Sequence, residues 1–231
     1  MVESSNQELP GVNTPSHARS STANEARDLF TSPITWGEAT GGGIQPIELE
    51  VGSGKGLFLQ TAAAARPQHR FIGVELSAKF ANRAADRIHR SGLINVCMLR
   101  GDAEQFLLEV VPTASVEAVH VYFPDPWWRR KHKKRRVLNE DTLHAIERIL
   151  APGGRFHFWT DVLDYYELIC GQVMQLTQLM GPQYVPERPA SHELDYTTHF
   201  ERRARRNGQP IYRAIFIKPE VGSESQPLLG G

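Results

Sequence analysis

The chain has 231 residues, 40% of them hydrophobic and 23% charged, with 26 Lys and Arg against 26 Asp and Glu. That length suits one domain with loose ends, and the composition excludes a disordered or fibrous chain. No run of about 18 apolar residues is present, so no membrane-spanning helix is expected, and the polar N-terminus predicts no signal peptide.

Residues 1–28 are rich in Ser, Asn, Thr, Pro and Glu and predict a flexible extension; 221–231 (VGSESQPLLGG) predict a short tail. The domain is therefore expected at 29–220. Residues 45–51 (QPIELEV) predict a first strand, and 55–65 a Leu- and Ala-rich helix stopped near Pro67. Residues 70–75 (RFIGVE) predict a second strand. Phe80, Ala81, Ala84 and Ile88 give 77–91 helical spacing. A third strand follows at 94–100, a short helix at 102–110, and an apolar, β-branched fourth strand at 115–123 (SVEAVHVYF). A helix at 138–150 ends at Pro152-Gly153-Gly154, before a fifth strand at 155–160 and a long helix at 161–179. Residues 196–204 and 210–218 read as an antiparallel pair of late strands. Alternating strands and helices predict an α/β fold, with a mostly parallel sheet and helices on both faces. Ligands in such sheets bind beyond the C-terminal strand ends, where the motifs cluster. Cys97 and Cys170 sit in regular elements and give no disulfide framework, so a reducing cytoplasm is the expected setting.

Glu50-Val51-Gly52-Ser53-Gly54-Lys55-Gly56 follows the first strand and opens a helix. The GxGxG spacing of Gly52, Gly54 and Gly56 is neither the dinucleotide GxGxxG nor a P-loop, because Gly56 follows Lys55. By itself such a loop is a weak signal, and a ligand-free turn is its bland alternative. Glu75 ends the second strand, 23 residues after Gly52, where a carboxylate can accept both hydroxyls of a ribose. Asp102 and Ala103 follow the third strand, where a carboxylate can accept from an adenine amino group. Glu50 can meet an ammonium or support the loop. Adenine, ribose and an amino-acid tail without pyrophosphate describe S-adenosyl-L-methionine. Taken singly, Glu75 and Asp102 also read as solvated helix caps.

Phe123-Pro124-Asp125-Pro126-Trp127 follows the fourth strand, and two prolines stiffen the chain around Asp125. Asp125 is a candidate for substrate contact; its bland alternative is a turn that satisfies backbone N–H groups. Trp127 and Trp128 either stack on a base or pack under the loop. RRKHKKRR at 129–136 has seven cations in eight residues, and ERRARR at 201–206 adds four against one acid. The rest of the chain keeps 15 basic and 25 acidic residues. Zero net charge thus hides an acidic body with two basic patches, which suit a polyanion. Arg129 is placed to reach a phosphate or base edge. Lys131, Lys133, Lys134, Arg135 and Arg136 suit backbone phosphates, and His132 is a hydrogen-bonding neighbour rather than a metal ligand. A nuclear-localisation reading is open but odd beside a cleft. Asp161, after Trp159-Thr160, caps the next helix or faces substrate. On a strand, Thr198 and Phe200 face one way and His199 and Glu201 the other. Thr198 and Glu201 can then meet one ligand only if the chain turns.

Over about 45–218 these residues resemble the tRNA (guanine-N7-)-methyltransferase family of the single-chain bacterial type. The most specific piece is FPDPWWRRKHKKRR from Phe123 to Arg136. LEVGSGKG from Leu49, FIGVE at 71–75, GDA at 101–103, Thr160-Asp161 and THFE at 198–201 follow in the family's order. The resemblance implies a Rossmann-like class I methyltransferase fold with a seven-stranded sheet and one antiparallel late strand. It implies a tRNA partner, with guanine 46 of the variable loop as target. Glu50, Glu75 and Asp102 become cofactor contacts. Asp125 becomes the catalytic residue, near the cofactor too. Arg129, Asp161, Thr198, His199, Phe200 and Glu201 bind guanine and its surroundings, and Lys131–Arg136 contact RNA. Arg129 and His199 stand where the family usually has lysine. Trp128 replaces proline or a small polar residue, Ala204 a glycine and Arg213 an aspartate. Arginine for lysine changes reach and fork geometry.

Guanine N7 carries a lone pair and no proton, so its methylation needs no strong base. Asp125 is expected to hold guanine through N1–H or the 2-amino group, and Asp161 and Glu201 are further candidates. Neither a metal, a membrane nor an obligatory protein partner is expected; monomer and homodimer stay open. The alternatives are a methyltransferase of another RNA or a small molecule, and a non-enzymatic RNA-binding module.

Overall fold

A computed structural model describes residues 25–127, 136–186 and 196–220. Eight strands form one sheet: β1 (Arg27–Asp28), β2 (Ile47–Val51), β3 (Arg70–Glu75), β4 (Val96–Arg100), β5 (Val116–Tyr122), β6 (Leu150–Thr160), β7 (Met180–Tyr184) and β8 (Tyr212–Ile217). Their order across the sheet is β1-β4-β3-β2-β5-β6-β8-β7. Pairings from β1 to β6 are parallel, and those of β8 with β6 and β7 are antiparallel. The predicted α/β class holds, with the two-residue β1 added to the expected seven strands. β1 lies within 1–28, and Arg27 and Asp28 are paired to Leu99 and Arg100.

The helices are α1 (Trp36–Thr40), α2 (Leu57–Ala65), α3 (Ala78–Arg90), α4 (Ala103–Glu109), α5 (Glu140–Ile149), α6 (Leu163–Leu176) and α7 (His199–Arg206). Ala81, Ala84, Ala85 and Ile88 form the buried stripe of α3 and pack with Phe58, Leu59 and Ala63 of α2 over one sheet face. The larger core, with Phe106, Leu143, Ile146, Phe156, Phe158, Tyr165 and Ile169, fills the other face under α4, α5 and α6. Burial of these side chains is the main favourable term, at about 25 cal/mol per Å² of apolar surface. The helices begin as side-chain chemistry dictates. Thr35 and Asn139 close capping boxes at α1 and α5. Among the described residues no helix is long and apolar enough to cross a membrane.

Two sequence expectations fail. Residues 196–204 do not form a strand, because Thr198 caps α7 by accepting from the Glu201 N–H at 3.0 Å. Besides β6, the antiparallel partner of β8 is instead β7, which starts four residues after α6 ends at Leu176. All five residues of β7 are exposed, so no apolar alternation marks them. The fifth predicted strand is also longer, since β6 runs from Leu150 through Pro152-Gly153-Gly154 with a register shift against β5.

Candidate active site

Two cavities adjoin at the C-terminal edge of the sheet. The glycine loop after β2 builds the first, of about 270 Å³. Glu50, Gly52, Ser53, Gly54 and Lys55 line it, facing Tyr122, Phe80 and the start of α7. Gly54 has φ +53°, a left-handed conformation that disfavours side chains. Gly56 serves packing: a Cβ there would lie 2.7 Å from the Ala84 Cβ, so only glycine lets α2 approach α3. Glu75 holds the loop in place. Its Oε2 accepts from the Gly54 N–H at 2.9 Å, and Oε1 from the Ser77 N–H at 2.8 Å. Each oxygen keeps a further lone pair.

Glu50 is 3% exposed, and its Oε2 has no hydrogen-bond partner. Burial, with the charge of Glu75 adding to it, pushes its pKa up to about 8. A carboxylate placed so awaits a cationic or donor group. Tyr122 is held by a buried relay. Burial lowers the His120 pKa, so the ring is neutral. Its Nε2–H donates to Glu48 at 2.8 Å, and Nδ1 accepts from the Tyr122 hydroxyl at 2.8 Å. The tautomer follows from those partners.

The second cavity, of about 280 Å³, lies where β5 gives way to Phe123-Pro124-Asp125-Pro126. Phe123 has φ +52° and Trp127 φ +40°, so strained residues bracket the Pro-Asp-Pro turn. The Phe123 N–H donates to the Trp159 carbonyl at 2.7 Å, and Arg136 Nε donates to the Pro126 carbonyl at 2.7 Å. The turn is thus tied at both ends, with Asp125 exposed toward the cavity. Asp161 faces the same cavity. It does not cap α6, whose N-cap is Val162 with no side-chain cap. The side chains of Asp125 and Asp161 make no hydrogen bond or ion pair among the described residues.

α7 closes both cavities. Its inner face buries Glu201 and Ala204; its outer face carries His199, Phe200 and Arg203. Glu201 is 1% exposed. Its carboxylate accepts from Arg205 at 2.7 Å, from Arg213 of β8 at 3.3 Å, and from the Thr197 N–H. Arg213 stacks over Trp159 at 4.9 Å. Glu201 therefore ties α7 to β8 and does not face the cavities. His199 is held neutral by burial, then by Arg87, whose Nη2 lies 3.4 Å from its Nε2. Phe200 is 56% exposed and stacks on Phe123 at 5.9 Å.

The structure thus gathers Glu50, Gly52, Gly54, Thr198, His199 and Phe200 at the first cavity and Asp125, Asp161 and Phe200 at the second. Asp125 does not line the first, where it was also expected. Gly56 is the N-cap residue of α2. Asp102 caps α4, with Oδ1 accepting from Glu104 N–H at 2.9 Å, and Ala103 is the first residue of that helix. Neither Asp102 nor Ala103 lines the first cavity. Trp128, Arg129, Lys131, His132, Lys133, Lys134 and Arg135 lie outside the described residues. Arg136 is inside, over the Tyr165 ring at 5.6 Å. Sequence reasoning missed Lys55, Phe80, Tyr122 and Arg203 as cavity residues. Tyr122 and Phe80 carried only a strand and a helix period, and Arg203 was one of four arginines in a patch. The donor set fits S-adenosylmethionine. A buried carboxylate oxygen without a partner suits its ammonium, a glycine-rich loop suits close backbone approach, and apolar rings suit its adenosine.

A family model described as "Putative methyltransferase" matches residues 44–214. A "tRNA (guanine-N(7)-)-methyltransferase" of Rhodopirellula baltica is 45% identical over 77% of this chain and 68% of its own length. One of Geobacter metallireducens is 31% identical over 85% and 92%, and one of Myxococcus xanthus 33% over 81% and 90%. Among solved structures, a 16S rRNA (adenine(1408)-N(1))-methyltransferase from Catenulisporales acidiphilia aligns at TM-score 0.56 and 15% identity, over 82% of this chain and 92% of that one. A SAM-dependent methyltransferase from Aquifex aeolicus aligns at 0.53 and 11%, over 76% and 84%. These two share the fold.

Proposed function

The chain belongs to the tRNA (guanine-N(7)-)-methyltransferase family, and from that premise we propose how its residues transfer a methyl group from S-adenosylmethionine to N7 of guanine in tRNA. The observation that carries the assignment is the pair of adjoining cavities. One holds Glu50, whose Oε2 has no hydrogen-bond partner, beside a glycine loop, and the other holds Asp125 and Asp161.

S-adenosylmethionine supplies a sulfonium methyl group as electrophile for the N7 lone pair. Glu50 receives the cofactor's ammonium. Glu75 positions Gly54 and turns its remaining lone pairs to the ribose, and Asp102 meets the adenine amino group with the oxygen not used in its cap. In the second cavity, Asp125 and Asp161 accept from guanine N1–H and the 2-amino group. These contacts fix the base plane, and the carboxylates favour the positive charge that develops on the purine. No residue needs to remove a proton from N7. Phe200 and Phe123 offer a ring face to a base extruded from the RNA, whose unstacking costs a few kcal/mol. Lys131–Arg136 and Arg129 contact phosphates around the target, guanine 46 of the variable loop. His132, Thr198 and His199 stand beside them, and Glu201 acts by holding α7. We assign the catalytic domain to 27–220, two residues earlier than the sequence bound because β1 joins the sheet, flanked by extensions, in a cytoplasmic protein that needs no protein partner.

The test is methyl incorporation into unmodified tRNA, with N7-methylguanine located by position. Asp125→Asn and Asp161→Asn are each expected to lower turnover about 100-fold, since one wrongly paired contact to the reacting base costs that much. Cofactor affinity should stay unchanged, because both side chains face the second cavity. Full turnover in both Asp125→Asn and Asp125→Ala would remove Asp125 from the site. Methylation at a guanine other than 46 would overturn the position.

A further inference from the structure

Among the described residues only two line both cavities: Phe200 and Arg203. Methyl transfer between neighbouring cavities has to happen where they meet, so these two border the reacting atoms. Phe200 is a ring face. Arg203 is the charged member, one turn along α7 from Phe200 and turned away from the face that buries Glu201 and Ala204. Its position in the helix separates it from the other arginines of the patch. Arg205 is committed to Glu201 at 2.7 Å, and Arg202 stacks on Tyr196 at 5.1 Å. The Arg203 side chain has no hydrogen bond or ion pair among the described residues. Among the described residues, the charged groups that line the second cavity are therefore two carboxylates, Asp125 and Asp161, and one guanidinium, Arg203; the neutral amides of Asn207 and Gln209 also line it, but neither reaches the first cavity.

We propose that Arg203 reads the O6 atom of the target guanine and so determines base specificity. This rests on the reading above, in which guanine occupies that cavity. Guanine offers two donors, N1–H and the 2-amino group, followed around the ring by one acceptor, O6, and then by N7. With the donors on the two carboxylates, the edge carrying O6 and N7 turns to the boundary with the cofactor cavity. Arg203 stands at that boundary and can donate to O6. Arginine commonly takes O6 and N7 together. Here it takes O6 alone, because the N7 lone pair is the nucleophile. Two carboxylates against one guanidinium leave the cavity net negative, which suits a purine becoming cationic. Adenine inverts the pattern: its N1 is an unprotonated acceptor facing carboxylates, and its 6-amino group is a donor facing Arg203. A site built of polar groups rejects such a base strongly, because its own groups are left unpaired.

The experiment crosses the side chain with the atom it reads. Wild type, Arg203→Met and Arg203→Lys are assayed on two tRNAs, one with guanosine and one with 6-thioguanosine at the target, where sulfur is the weaker acceptor. Arg203 is exposed, so all three proteins should melt alike. Arg203→Met is expected to lower kcat/KM on the guanosine tRNA about 10- to 100-fold, with tRNA affinity nearly unchanged. Wild type should fall similarly on the 6-thioguanosine tRNA, and Arg203→Met should show little further loss there. Arg203→Lys should be intermediate. An equal loss on both tRNAs together with weaker tRNA binding would make Arg203 a phosphate contact and overturn the proposal. Undiminished activity of Arg203→Met would overturn it too. If wild type makes no N7-methylguanine in the guanosine tRNA, the functional reading itself has failed. If it does, and the variants do not separate the two substrates, only the O6 contact has failed.

Discussion

Glu50 shows how one side chain couples cofactor binding to stability. Its pKa in the folded protein is about 8, against 4.5 as its ordinary value, because it is buried beside Glu75. Between those two values the folded state holds a proton that the unfolded state has lost. Its contribution to stability is therefore complete below 4.5 and is lost as pH rises through about 8. Glu50→Gln should remove this loss. Without cofactor at pH 9, the variant should melt a few degrees above wild type, at about 2–4 °C per kcal/mol. The ionised form is the one that pairs with an ammonium. Wild-type affinity for S-adenosylmethionine, measured by calorimetry, should thus rise with pH toward 8 with proton release, and that of Glu50→Gln should be weak and flat. A pH-independent wild-type affinity would contradict this role. The position of Glu50 was legible in sequence, because a strand end before a glycine loop is a local pattern. Its missing partner was not, because that depends on every element packed around it.

At the scale of elements, α7 is where local reading misled. Tyr196, Thr197, Thr198 and Phe200 have strand-like propensity, and arginines and a glutamate carry no apolar period. The helix is set by the Thr198 cap and by Glu201 meeting Arg213 across to β8. The Glu201 and Arg213 side chains are 2% and 4% exposed, so this pair is shut away from water. Truncating one partner of a buried pair leaves the other uncompensated, at a cost of about 3–5 kcal/mol. Glu201→Ala should lower the denaturation midpoint accordingly and reduce activity by loosening α7. The aspartate that is common in the family at position 213 would face Glu201 with a like charge, so Arg213→Asp should be destabilising here as well. A Glu201→Ala protein of wild-type stability would show that the pair does not hold the helix. β7 was illegible for a simpler reason. Its five residues are all exposed and include Gly181 and Pro182, so nothing in them distinguishes an edge strand from a loop.

For the whole molecule, the equal count of 26 cations and 26 anions excluded very little. α7 brings its arginines to the same sheet edge as the two cavities, while 129–135 lie outside the described residues. Binding to tRNA should depend steeply on salt, with a slope in log Kd against log salt of about 0.7–0.9 per phosphate contacted. Lys133→Ala and Lys134→Ala should each reduce that slope by about 1 and leave base preference intact. A slope unchanged in both variants would remove them from the RNA contact. The order of elements from β2 to α6, the glycine loop, the acidic strand ends and the Phe-Pro-Asp-Pro turn were legible in the sequence alone. Each is written in neighbouring residues, through backbone freedom, side-chain period or a local cap. Tertiary structure alone decided that Glu201 faces inward, that Asp161 is not a cap, and that Arg203 stands between the cavities. Those facts depend on which distant element each side chain meets, and that is settled only when α7 docks against β8.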